Sequence, residues 1–567
     1  MNKNIARLAV TAGLTAALSF GGVMAPVTMA FAAEGDNSIT INKIAEENKD
    51  NTFKAYQIFK AKVVDEKDKG KVTSDIEWSS TTIGSKVIAA IKQSAKYKEI
   101  VQTDSTNVLA DDAAAPVVAE WLAKNVTGTS ASSEGSKGTR VAPGDVLYEI
   151  AKGVADETPV DSSIQEDTPW TRPDSSGDGY YLFVTNDLQA DKPNTGTSPI
   201  FAIVGGSPVT VTEKTSIPTV TKKVKDDKPD STWADKADSQ MGQKVQYQLT
   251  GSVADNVDTF NTYYYKFHDE LSAGLTADQG SIQVYAVTNG TTTNIEANKY
   301  KVVVADDADT GKSILTVEFT DLKNAVTNLS KDTKIFVEYT AMLDVTKAEK
   351  VTVGGEGNEN TVKLIYSNNP GRDSKGESVP DTVRDYTYAL KLIKEDSADE
   401  NTKLEGVRFT IQATNPDDSE SNGKYVQKFG SLDENSYEFT TDAKGEISIK
   451  GLDAGTYTVK ETKAHDGYNT LPDFKFTIST ADGDLDKTDE QAKTVTVNTT
   501  TEGSELVAGT QTDGTVTLTV KNKKGSGLPL TGLNGVTFTW VAGGAVLCIG
   551  VAHLIRSRKQ AEESEQE

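Results

Sequence analysis

Residues 389–394 read Ala389-Leu390-Lys391-Leu392-Ile393-Lys394, and residues 516–522 read Val516-Thr517-Leu518-Thr519-Val520-Lys521-Asn522. Apolar and β-branched residues recur at period two in both, the pattern of a strand with one face on a core. Side chains alternate across a strand, so Leu390, Leu392 and Lys394 share a face, as do Val516, Leu518, Val520 and Asn522. Each inward row therefore ends in a polar group, a lysine in one and an asparagine in the other.

The same pairing of an early lysine with a late asparagine occurs upstream. Val220, Lys222 and Val224 alternate on one strand, and Val362, Leu364, Tyr366 and Asn368 on another. Parity alone selects Lys222 over Lys223 and Asn368 over Asn369. An inward carboxyl accompanies each set: Asp269 in phase with Tyr265 and Phe267, and Glu461 in phase with Tyr457 and Val459. An unpaired buried ammonium is costly, so such a lysine must be neutral, paired or chemically consumed. A buried, protonated carboxyl can polarise the asparagine carbonyl while apolar surroundings keep the amine neutral and nucleophilic. Attack would release ammonia and leave a Lys-Asn isopeptide bond. The residues alone admit a second reading, in which the lysines reach to the sheet rim and the asparagines cap strand ends.

Strand-like alternation dominates the rest of the chain, as at Ser38–Ile44, Val209–Glu213, Tyr300–Val304 and Ser313–Phe319. The first third differs. Ile83, Val87, Ile88 and Ile91 recur at helical spacing, as do Val117, Val118, Trp121 and Leu122 after Pro116, and Val146, Leu147 and Ile150 after Asp145. Boundaries are expected at Lys214–Pro218 and in the Pro/Gly/Ser-rich Asn369–Pro380. The expected fold is mainly β: tandem Ig-like β-sandwich domains, the first with helical insertions, over residues 33–213, 214–370 and 384–523.

The ends carry their own signals. Lys3 and Arg7, an apolar run and Ala30-Phe31-Ala32 predict a secretory signal peptide over residues 1–32. Residues 536–555 are apolar and about long enough to cross a bilayer, and Arg556, Arg558 and Lys559 place the tail, 556–567, in the cytoplasm. The only cysteine, Cys548, lies in that apolar run, so the secreted part has neither disulfides nor a thiol nucleophile. A formal charge of -24 argues against a nucleic-acid partner. The three histidines, His268, His465 and His553, suggest neither a metal site nor a catalytic triad, and no glycine-rich phosphate loop is present. No cofactor is expected.

Several segments resemble one family. "LDAGTYTVKETKAHDGYNTLP" is similar to the E-box segment of Cna-B-like domains, and "YKFHDELSAGLT" to the acid-bearing segment of isopeptide-forming fimbrial domains. "YSNNP" and "VKNKK" followed by "LPLTG" are similar to their closing strands. From signal peptide to tail the chain resembles the major backbone subunit of sortase-assembled pili in Gram-positive bacteria. The resemblance implies that Leu528, Pro529, Leu530, Thr531 and Gly532 form a sorting signal cut between Thr531 and Gly532, with Thr531 held by the enzyme as a thioester. It implies that Asp269 and Glu461 promote isopeptide bonds from Lys222 to Asn368 and from Lys394 to Asn522. A pilin-motif lysine is expected before the second domain, where this chain has Thr212-Glu213-Lys214 in place of the common Tyr-Pro-Lys. Lys214 is the candidate, with an ordinary boundary lysine as the alternative. The first domain has Lys43 in phase with Ile39 and Ile41, but Pro208–Glu213 offers no asparagine, so no isopeptide bond is expected there.

The leading functional expectation is a structural subunit of a covalent pilus on the cell surface, not an enzyme. Its expected partners are pilus-specific and housekeeping sortases, further copies of itself, minor pilins, peptidoglycan and host surface receptors. The alternative is a monomeric wall-anchored adhesin, in which Lys214 stays unused.

Overall fold

The computed structural model describes residues 37–43, 51–66, 70–126, 141–213, 215–228, 230–414, 421–480 and 497–525. The strand Gly179–Thr185 (GYYLFVT) organises the first body: almost all of it is buried, because both of its faces are covered. Tyr180 and Leu182 face a helical layer, whereas Tyr181 and Phe183 face a small sheet holding Ile39, Ile41, Trp170 and Val211. In that small sheet Ser38–Asn42 runs parallel to Val209–Thr212, with Ile39 beside Val209 and Ile41 beside Val211.

Helical spacing in the first third corresponds to real helices. Thr81–Gln93 starts where the Ser80 side chain accepts from the Ile83 N–H, and it buries Ile83, Val87, Ile88 and Ile91. Ala115–Asn125 begins around Pro116 and buries Val118, Trp121 and Leu122. Val117, expected on the same stripe, is instead 52% exposed, because the buried stripe runs through Ala115, Val118, Ala119 and Leu122 at i, i+3, i+4 and i+7 and Val117 lies off it. Val146–Val154 buries Val146, Leu147 and Ile150. A further helix, Ala95–Thr103, is capped by Ser94 and was not marked by apolar spacing.

The second body is a sandwich of two sheets. One orders Trp233–Ala234, Val220–Lys225, Val245–Ser252, Thr333–Leu343, Gln283–Thr288 and Thr291–Asn294. The other orders Lys236–Asp238, Asp381–Tyr386, Asn358–Ser367, Tyr265–Leu271, Ser313–Phe319 and Lys301–Asp306. The facing rows alternate buried and half-buried along most strands, as period-two patterning requires.

The boundary expected at residues 369–380 falls elsewhere. Lys375–Glu377 and Asp381–Tyr386 both pair with Asn358–Ser367, so the Pro/Gly/Ser-rich stretch is a turn that returns the chain to the same sheet. The second body continues to Tyr386. The third follows at once with Tyr388–Asp396, which lies between Glu446–Leu452 and Thr515–Asn522; its facing sheet is centred on Arg408–Ala413 and Gly455–Lys463.

Candidate functional site

In the third body the first and last strands run parallel, with Lys394 beside Val520 and Asp396 beside Asn522. Both strands therefore deliver the polar ends of their inward rows to one end of the core. Lys394 is 0%, Asn522 1% and Glu461 3% exposed. Lys394 Nζ hydrogen-bonds Asn522 Oδ1. Asn522 Nδ2 donates to Glu461 Oε1 at 2.8 Å, and Glu461 Oε2 lies 3.3 Å from Lys394 Nζ. The Phe409 ring walls the amine on another side, its centroid 5.8 Å away. Burial pulls the Lys394 pKa down to about 8, with the Glu461 charge opposing that shift. Amine, acyl carbon and acid thus form one closed cluster in apolar surroundings.

The second body holds a comparable cluster. Lys222 Nζ donates to Asp269 Oδ1 at 2.5 Å and Oδ2 at 2.7 Å, and to the Tyr339 hydroxyl at 3.0 Å. Tyr339 donates to Asp269 Oδ2 at 2.6 Å. Lys222 and Asp269 are fully buried, and burial lowers the Lys222 pKa to about 8 against the pull of Asp269. The neighbouring Lys223 points outward and pairs with Asp235, in keeping with the parity of the strand.

The asparagine at this cluster is not the expected one. Asn360 Nδ2 donates to the Tyr339 hydroxyl at 2.8 Å; Asn360 is fully buried and its Oδ1 has no hydrogen-bond partner among the described residues. Asn368 lies eight residues further along the same inward row, roughly 26 Å away at the rise of a strand. The reason is strand direction. Asn358–Ser367 runs antiparallel to Tyr265–Leu271, so Asp269 pairs with Val362 and Leu271 with Asn360. The Lys222 N–H bonds Asp381, which also pairs with Val362. The lysine and acid of this sandwich therefore lie at the start of the strand, whereas in the third body, with its parallel strands, they lie at its end. Parity found the row; only pairing direction selects the residue. Tyr339 was also missed, since a tyrosine within an apolar row carries no signal of its own.

Asn368 has a different setting. Its Nδ2 donates to Asn194 Oδ1 at 2.6 Å, its Oδ1 accepts from Ser374, and its carbonyl accepts from the Gly196 N–H. Asn369 Nδ2 reaches the Asn186 carbonyl. These asparagines join the first body to the second. The expected signal peptide, Lys214, Leu528–Gly532 and the apolar run 536–555 lie outside the described residues.

A family model described as the SpaA prealbumin-like fold domain matches residues 389–493. A search of curated proteins found no match. Among solved structures, the T6 backbone pilin of serotype M6 Streptococcus pyogenes, described as a modular three-domain structure, aligns over 87% of this chain and 100% of its own at 16% identity, with a TM-score of 0.50. The full-length major pilin SpaD from Corynebacterium diphtheriae aligns over 88% of this chain and 99% of its own at 16% identity, with a TM-score of 0.44. The major pilin subunit BcpA of Bacillus cereus aligns over 86% and 99% at 14% identity, with a TM-score of 0.36. Residues 389–493 thus match the prealbumin-like fold domain, and the chain as a whole is similar in fold to the T6 backbone pilin.

Proposed function

We propose that this chain is the structural subunit of a covalent pilus shaft, linked head to tail from Thr531 of one copy to Lys214 of the next and stabilised by internal bonds Lys222–Asn360 and Lys394–Asn522. The observation that carries this reading is the Lys394–Glu461–Asn522 cluster, where amine, amide and acid meet with water excluded. In each bond the neutral Nζ adds to the asparagine Cγ, the Cγ–Nδ2 bond breaks, and Nδ2 leaves with the transferred proton as ammonia. Glu461 touches both partners and is placed to relay that proton; Asp269, with Tyr339 beside it, has the same role in the second body. An amine with a pKa of about 8 is roughly a tenth neutral at pH 7, against about one part in a few thousand for an exposed lysine. Each bond forms once, so the chain turns nothing over.

On this reading the signal peptide exports the chain, and residues 536–555 hold the precursor at the membrane until a pilus-specific sortase cuts at Thr531. A housekeeping sortase would transfer the finished polymer to peptidoglycan, with minor pilins at its ends. The test is the electrophoretic pattern of wall extracts boiled in detergent. A ladder of high-mass species supports the shaft; a single monomeric band would support a wall-anchored adhesin instead.

A further inference from the structure

The first body was expected to lack a cross-link because its closing strand offers no asparagine, yet it holds another acyl group in the corresponding place. The strands Ser38–Asn42 and Val209–Thr212 run parallel, as do the first and last strands of the third body. Their ladder continues past Asn42, whose carbonyl accepts from the Glu213 N–H at 2.9 Å. Lys43 and Glu213 are therefore the next rung, in phase with the inward pairs Ile39/Val209 and Ile41/Val211. Neighbouring strands lie about 4.8 Å apart, within easy reach of a lysine and a glutamate side chain on the same face.

Glu213 is fully buried, and a second carboxyl lies against it. Glu166 is only 9% exposed, and within hydrogen-bond geometry neither of its oxygens has a partner among the described residues. Burial, and then the charge of Glu213, push the Glu166 pKa far above the carboxylate range. Asn51, 2% exposed, donates Nδ2 to Glu213 Oε2 at 3.4 Å and to the Thr195 carbonyl at 3.2 Å. Lys43 enters from the edge: its side chain is 21% exposed, and its Nζ lies 3.6 Å from Asp167 Oδ2. The parts match those of the third body. Lys43 supplies an amine, Glu166 an acid able to relay a proton, and Glu213 an acyl carbon whose oxygen already faces an amide donor.

We infer that the first body forms its own cross-link, an amide between Lys43 Nζ and the Glu213 Cδ, with water as the leaving group. The neutral amine adds to the protonated Glu213 carboxyl, the Cδ–OH bond breaks, and Glu166 passes the amine proton to the departing oxygen. Neither an oxidant nor a co-reactant is needed, because an ammonium and a carboxylate become an amide and one water. The bond removes one of two carboxyls that cannot both be charged at this depth, and it anchors the residue immediately before Lys214.

Peptide mapping of the denatured full-length wild-type chain tests this without a variant. The expected result is one branched peptide joining the segments around Lys43 and Glu213, lighter than their sum by one water. Lys43→Arg should abolish the branched peptide and raise the intact mass, beyond the substitution itself, by one water. Recovery of separate, unmodified peptides carrying Lys43 and Glu213 from the wild-type chain would overturn the inference and leave an ordinary proton-sharing pair. The leaving group separates this result from the Lys-Asn bonds, which release ammonia.

Discussion

Asn522 Nδ2 donates to Glu461 Oε1 at 2.8 Å, so the acid holds the nitrogen that would leave in the proposed attack by Lys394. Glu461→Ala keeps both reactants and removes the proton relay. The variant should be heavier than wild type, beyond the substitution itself, by one ammonia. The missing bond spans 128 residues; by analogy with disulfides closing loops of that size, its loss should lower stability by about 4 to 5 kcal/mol. Protease sensitivity should rise in the third body and stay unchanged in the second, because separated sites act additively. A variant that still lacks the ammonia would show that Glu461 is not the relay.

Asn360→Ala and Asn368→Ala separate the two candidate acceptors of the second body. Asn360→Ala should restore one ammonia, since it removes the amide facing Tyr339 and Asp269. Asn368→Ala should leave the mass deficit intact but break the bonds to Asn194 and Ser374, destabilising the junction of the first two bodies by about 1 to 3 kcal/mol. Intact mass gives the first result and thermal melting the second. Ammonia retained by Asn368→Ala alone would return the cross-link to Asn368.

The contrast between these two asparagines shows what was legible in the sequence. Period-two alternation identified the inward rows and placed Lys222, Asp269, Lys394, Glu461 and Asn522 correctly in buried clusters, because parity is a local property of one strand. Choosing Asn360 over Asn368 depends on whether two strands far apart in sequence run parallel or antiparallel, which no single strand encodes. The same limit hid the turn at residues 369–380, whose composition suits a linker as well as a return to the sheet. Glu213 reads only as the end of a strand that offers no asparagine, and its rung beside Lys43 is what gives it a role.

The reaction should depend on pH through its amines. Burial lowers both Lys222 and Lys394 to about 8, so the reactive neutral form dominates above that value and is lost as pH falls below it. Ammonia release by chain freshly synthesised in vitro should be about tenfold slower at pH 6 than at pH 7 and should level off above pH 8. Intact mass at timed intervals reports it. A rate independent of pH across this range would mean that amine deprotonation does not limit bond formation.

Lys214→Arg, expressed with the cognate sortase, should still be secreted and anchored to the wall but should form no ladder. Arginine keeps the charge and stays protonated, so it cannot resolve the Thr531 thioester. Thr531→Ala should be more severe and abolish both polymer and wall attachment. A normal ladder from Lys214→Arg would assign the linkage to another lysine, and wall-linked Thr531→Ala protein would remove the sorting signal.

The positions of the proposed bonds also predict how a polymer would bear load. Tension entering at Lys214 and leaving at Thr531 passes first through Lys222, then across to Asn360, on to Lys394 and across to Asn522. Most of the second and third bodies then lies outside the line of force, held in loops that cannot extend. In single-molecule stretching between residues 214 and 531, the wild-type chain should show no unfolding step from these loops. Glu461→Ala should add one step, because the 128-residue separation of Lys394 and Asn522 becomes free to extend by roughly 450 Å at about 3.5 Å per residue. Combining it with Asn360→Ala should add a second step of similar length from the second body. The first body lies before Lys214 and should contribute no step in any of these chains. Steps of this size in the wild-type chain would mean that the lysines and asparagines are not joined.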